Sequence, residues 1–175
     1  MGGVNPNLSD SNGRTPLSFA ASGGYQDVVR LLLGCSEVNP DSPDNSGRTP
    51  LSYATISGAV GVVELLLERR NVNPDSPDRS GRTPLSFAVL GRHKGIVKRL
   101  LECGGANPSL QDSHGLTPLS YSSILQDESV LKLLREHGSV NPDSLGASGQ
   151  TPPSFAAISG VLGVNLVLER ADLNR

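Results

Sequence analysis

The sequence predicts a mainly α-helical solenoid, built from stacked helix pairs joined by polar hairpin loops. Three observations predict it. The triplet Thr-Pro-Leu starts at Thr15, Thr49, Thr83 and Thr117, and Thr-Pro-Pro follows at Thr151, always 34 residues apart. Val-Asn-Pro recurs in the same register at Val4, Val38, Val72 and Val140, with Ala106-Asn107-Pro108 in the fourth slot. Asp10, Asp44, Asp78 and Asp112 each stand three residues before a glycine: Gly13, Gly47, Gly81 and Gly115. A fixed period of this length is the signature of a repeat array, in which each unit buries its apolar face against the next. The array is expected to fill residues 1–175 as one domain, with units starting near 10, 44, 78, 112 and 146.

Within a unit, Thr followed by Pro fits a helix N-cap with proline at the first helical position. The hydroxyl accepts an otherwise orphaned N–H, and proline has none to orphan. Leu17, Ala20, Ala21 and Gly24 then fall on one apolar face of a short first helix. The second helix reads DVVRLLLG, VVELLLE, GIVKRLLE and SVLKLLRE in the first four copies, with Gly104 and Gly138 placed to end it. Asp127-Glu128 open the fourth of these, where acids suit the helix dipole. The remainder, such as VNPDSPDNSG, is turn chemistry.

These residues resemble the ankyrin repeat. Its pattern D-x-x-G-x-T-P-L-H-x-A-A is matched by Asp44, Gly47, Thr49, Pro50, Leu51 and Ala54, and its V-V-x-L-L by Val62, Val63, Leu65 and Leu66. The style is similar to ankyrin arrays of filamentous fungi. Two departures are systematic. Ser18, Ser52, Ser86, Ser120 and Ser154 replace the family histidine, and the period exceeds the usual length of about 33 residues by one. A residue that recurs in every unit serves the unit, so the serines are expected to make local hydrogen bonds. The resemblance implies an L-shaped unit stacked into a curved solenoid, with partners bound on the concave side.

Composition narrows the function. A formal charge of −2 and a pI near 5.9 give no attraction to a polyanion, so nucleic acid is not the expected partner. No apolar run approaches a membrane span, and the start MGGVNPNLSD has no secretory signal pattern. The two cysteines, Cys35 and Cys103, occupy the same slot two periods apart, roughly 16–20 Å at usual helix spacings, too far to bridge. His93, His114 and His137 fall in three different kinds of slot without metal-ligand spacing. No cofactor is expected. The expectation is a non-catalytic, monomeric, intracellular scaffold in the cytoplasm or nucleus. The alternatives are a regulatory segment of a larger protein, or a small-molecule or catalytic groove around Tyr121, His114 and Asp127. The start at Val4 suits either a whole protein or a piece of one. Pro153 and Asn165 make the last unit less apolar, as a cap would be.

The candidate binding residues form rows. Ile56, Leu90, Ile124 and Ile158 share a slot that holds Ser22 in the first copy; at ~100° per residue it lies ~140° from the core leucine. It is either an apolar ridge for a partner or extra packing between units. Phe19, Tyr53, Phe87, Tyr121 and Phe155 form a second ladder, expected in the core. Arg14, Arg48 and Arg82 follow the hairpin glycines, with Leu116 and Gln150 completing the row, while the tips vary: Asn45-Ser46, Arg79-Ser80, Ser113-His114, Ala147-Ser148. The expected groove is apolar along its floor and cationic over units one to three, suiting an acidic, amphipathic peptide or partner helix. Arg99 takes a slot held by Leu31, Leu65 and Leu133, with its stem on the core or in a basic spot with Arg92, Lys94 and Lys98.

Overall fold

A computed structural model describes residues 5–137. They form four helix pairs: α1 (Pro16–Ser22) with α2 (Gln26–Leu33), α3 (Pro50–Ser57) with α4 (Val60–Leu67), α5 (Pro84–Leu90) with α6 (Lys94–Glu102), and α7 (Pro118–Ile124) with α8 (Glu128–Glu136). The fifth unit, with Ile158, Gln150, Phe155, Pro153 and Asn165, lies outside the described residues.

Each first helix starts as its sequence dictates. Thr15, Thr49, Thr83 and Thr117 have extended backbones, and each hydroxyl accepts from the N–H three residues on. That third residue is the serine standing where the family has histidine. Ser52 Oγ accepts from Thr49 N at 3.3 Å, and Ser120 Oγ from Thr117 N at 3.4 Å, closing a reciprocal capping box. Ser18, Ser52, Ser86 and Ser120 are buried and bonded locally, as the recurrence implied.

The hairpin before each first helix is a repeated turn. Asp44 Oδ1 accepts from Ser46 N at 2.7 Å and Arg48 N at 2.8 Å, while Asp44 N donates to Arg48 O at 2.9 Å. Gly47 has φ +81, and an added Cβ would sit 3.0 Å from Arg79 N in the next hairpin. Backbone conformation and close approach both require glycine there.

The first helices pack on one another in order, as do the second helices, and the first-helix contacts are the more extensive. Small residues at one slot, Ala20, Ala54, Ala88 and Ser122, are all buried and permit that approach. Tighter packing among the first helices than among the second suits a stack curved towards the first helices, with these and the hairpins on its inner side. Leu17, Leu51, Leu85 and Leu119 run down one continuous core with Val29, Val62, Val63, Ile96, Val97 and Val130.

That core is open at its first unit. Val28 is 46% exposed, whereas Val62 in the same slot is fully buried, and Leu31 and Phe19 are exposed with it. Val62→Ala should therefore destabilise by about 2 kcal/mol, two methyl groups plus an unfilled space, and Val28→Ala by about 0.5 kcal/mol. Urea melts of the two variants check the contrast.

The loops between units are stitched by Asx side chains. Asn39 N donates to Asn7 Oδ1 at 2.8 Å, Asn107 N to Asp75 Oδ1 at 2.9 Å, and Asn73 N to Asp41 Oδ2 at 3.4 Å. Asp41 is the least comfortable of these acceptors, because its Oδ1 is buried without a partner. Burial pushes its carboxyl above the usual range, against the bonds from Asn73 and Ser76. A carboxyl raised on folding favours the native state while protonated, and loses that contribution as pH rises through the raised value. Asp41→Asn should thus raise the urea midpoint at pH 7, and the gain should vanish near pH 3, where both states of the wild type are neutral at this site.

Candidate functional site

The inner side is best built up from its hairpins. Backbone bonds tie each tip to the one before: Asn45 N to Asn12 O, Arg79 N to Ser46 O, and Ser113 N to Ser80 O, each 2.8 Å. The tips therefore stand in a fixed row. On this frame the side chains of Asn45, Ser46, Arg79, Ser113 and His114 are exposed. His114 is anchored through its own N–H to Asp112 Oδ1 at 2.8 Å, leaving the imidazole outside.

Among the described residues the aliphatic ladder is not an exposed ridge. Leu90 is 5% exposed and Ile124 8%, while Ile56 is half-buried against the core. The ~140° offset places this slot away from the leucine face of its own helix, but first helices packed one on another leave Leu90 and Ile124 little free surface. His93 adds to the cover around Ile56, with Nε2 3.3 Å from the Ile56 carbonyl oxygen. Of the two readings the sequence left open, packing between units fits Leu90 and Ile124.

The aromatic ladder is core in part. Phe87 and Tyr121 are buried, Tyr53 is half-buried and Phe19 is 47% exposed, beside the open end. Phe19 has the Arg14 guanidinium over its ring, 4.4 Å from the centroid.

The arginine row is not a run of free cations either. Arg14 Nη2 meets Asp10 Oδ2 at 2.9 Å, and Arg82 Nη2 meets Asp78 Oδ2 at 3.1 Å. Arg82 is buried as well as paired, and its guanidinium lies over the Phe87 ring at 5.4 Å. The first and third hairpins each bring their own carboxylate to their own arginine, so charge counted along the sequence overstates the field in the groove. In the second and fourth copies a tyrosine hydroxyl takes that carboxylate: Tyr53 donates to Asp44 Oδ2 at 2.6 Å, and Tyr121 donates to Asp112 Oδ2. Burial, then the bond to Asp44, pushes the Tyr53 phenol up to about 12, so it remains a donor at neutral pH. The exchange between arginine and tyrosine is readable in the sequence once the hairpin aspartate is seen as the shared acceptor.

The remaining candidates disperse. Tyr121 and His114 both approach Asp112, but Tyr121 is buried, and Asp127 caps α8 by accepting from Val130 N at 3.2 Å. Burial raises the Asp127 carboxyl, but the Ser129 hydroxyl and the Val130 N–H outweigh it and hold the group below its ordinary value. Arg99 Nε pairs with Glu64 at 2.8 Å in the preceding unit, and Arg92 Nη2 donates to Leu125 O at 2.8 Å, so these two of the third unit's four cations are engaged within the array, while all four stay exposed. Cys35 and Cys103 are free and exposed. Among the described residues, no three His, Cys, Asp or Glu side chains come together as a metal site, and no helix is long and apolar enough to cross a membrane.

Stacked helix pairs with a row of hairpins along one side define a helical solenoid repeat protein. The family model described as ankyrin repeats in three copies matches residues 1–78, 46–112 and 69–145, and the chain belongs to that family. Ankyrin repeats are in general protein–protein interaction modules. No curated protein matches the chain.

Proposed function

We propose that the array is a non-catalytic scaffold that binds an acidic protein or peptide along its inner side. It acts as a monomer inside the cell, in the cytoplasm or nucleus, and takes neither nucleic acid nor membrane. The observation that carries this reading is the contrast within each hairpin. The Asp, Gly and Thr of the frame are held by the same bonds in every described unit, whereas the exposed tip side chains differ from unit to unit. A frame that fixes the backbone and varies its outward side chains suits recognition. Arg79 and His114 are the tip residues assigned to contact, with Asn45 beside them. Ile56 contributes only its exposed part, and Leu90, Ile124 and Arg82 act from beneath by holding the surface flat.

The test is affinity capture from a matched extract, with wild type beside Asn45→Ala/Arg79→Ala/His114→Ala. The triple variant should keep its helical circular dichroism and lose the specific partners. Retention of every partner by the folded variant overturns the assignment of the tips.

A second reading is favoured by the apolar end of the first unit, where Phe19, Val28 and Leu31 are exposed together. There the array docks against a further folded domain, as in a regulatory segment of a larger protein. Val28→Lys/Leu31→Lys separates the two readings, because it should abolish end docking and leave tip-dependent capture intact.

A further inference from the structure

Three of the four described hairpins carry an arginine four residues after the aspartate, and two of these are used at home. Arg14 gives Nε and Nη2 to Asp10 Oδ2 at 3.0 and 2.9 Å. Arg82 gives the same two groups to Asp78 Oδ2 at 3.2 and 3.1 Å. The second copy departs from both. Its carboxylate oxygen, Asp44 Oδ2, is occupied by the Tyr53 hydroxyl. The Arg48 side chain makes no hydrogen bond or ion pair, and its Nε is buried without an acceptor.

The cause lies one helical turn into α3. Where the aromatic slot holds phenylalanine, as in copies one and three, nothing competes with arginine for the aspartate. Where it holds tyrosine, the hydroxyl wins the oxygen. The fourth copy avoids the conflict, because Leu116 replaces the arginine. Copy two combines tyrosine with arginine, and so releases a cation.

The surroundings favour an incoming anion. The buried Nε–H without an acceptor is costly and keeps the guanidinium from settling on any group of the array, while its Nη groups are not among the buried atoms and are left for an external acceptor. The stem is half-buried, so part of its freedom is already lost before binding. Arg79 stands beside it: its N–H donates to Ser46 O at 2.8 Å, next to Gly47, and its exposed side chain has no acceptor among the described residues. A planar guanidinium accepts a carboxylate through two parallel N–H groups.

We propose that Arg48, with Arg79 at its side, is the carboxylate-binding point of the array, taking a glutamate or aspartate side chain of the partner. This deepens the protein-binding reading and rests on it for the partner, but the site itself can be tested alone. The switch that opens it is Tyr53: without the hydroxyl, Asp44 recovers Arg48 as Asp10 holds Arg14.

The experiment is a titration of the full chain with acetyl-hexaglutamate amide at constant ionic strength, following the arginine Nε–Hε resonances by NMR, with hexaglutamine as control. The Arg48 resonance should shift saturably with hexaglutamate only, and those of Arg14 and Arg82 should stay. Tyr53→Phe, which places in copy two the residue already tolerated at Phe19 and Phe87, should weaken binding at least fivefold. Arg48→Gln should weaken it as much. An Arg48 resonance that does not move, or equal binding by either variant, overturns the proposal. A scaffold whose tips alone capture the partner would still lose it in the tip variant while Tyr53→Phe binds normally, so the two failures are distinct.

Discussion

Leu90→Glu is expected to unfold the central units and not to strip a partner from a folded array. Leu90 lies at the end of α5 with 5% of its surface exposed, under cover from the neighbouring first helices. Losing its burial costs about 2 kcal/mol, and placing a carboxylate in the same apolar space costs several more, unless the group is protonated. Domains of this size hold on the order of 5–15 kcal/mol, so one such change removes a large share. In a stack where each unit contacts only its neighbours, loss of the third unit also removes the support of the second and fourth. Circular dichroism against urea should show a midpoint far below wild type, or no transition. Leu90→Ala, without the charge, should cost about 2–4 kcal/mol. Ile56→Glu, at a half-buried site, should cost about 1 kcal/mol and leave a normal melt. If Leu90→Glu melts like wild type, the slot is open to solvent and the aliphatic ladder returns as a binding surface.

This result bears on how far the fold can be read from residues alone. Units, helix starts and the hairpin turn were legible because each rests on local chemistry: Thr-Pro fixes a cap, and Asp-x-x-Gly fixes a turn. The burial of the aliphatic slot was not. Helical angle measures direction from one helix's own core face, whereas in a stack the neighbours cover two further faces. Leu90 and Phe87 are buried by units 34 residues away, and no periodicity within one helix reports that. The same gap explains the charges. Arg14 and Arg82 read as free cations until the hairpin folds each onto its own aspartate, four residues earlier. The pairing of Tyr53 with Asp44 spans nine residues and depends on how α3 leaves its hairpin, so Arg48 was marked by its row and not by its release.

Asp78→Ala should be the costliest single change in any described hairpin, at about 3–5 kcal/mol, whereas Asp10→Ala should cost about 1 kcal/mol. Both aspartates organise the same turn. Asp78 Oδ1 accepts from Ser80 N and Arg82 N at 2.9 Å each, and Asp10 Oδ1 from Asn12 N and Arg14 N at 2.9 and 2.8 Å. Both hold an arginine through Oδ2. The difference is burial: Asp78 and Arg82 are enclosed by hairpins on both sides, while the first hairpin has one side open to water. Removing a carboxylate beside a largely buried guanidinium leaves a charge that water reaches poorly; at the first hairpin, where both side chains are about a third exposed, water replaces most of what is lost. Asp78→Asn separates the two roles of the side chain, since its amide oxygen can still accept from the turn but brings no charge to Arg82. It should recover about 1–2 kcal/mol of the loss, the part owed to the turn bonds. Parallel urea melts of Asp10→Ala, Asp78→Ala and Asp78→Asn measure all three. Equal costs at the two aspartates would mean that the hairpins are solvated alike, and that the release of Arg48 carries no energetic advantage over the exposed cations of the tips.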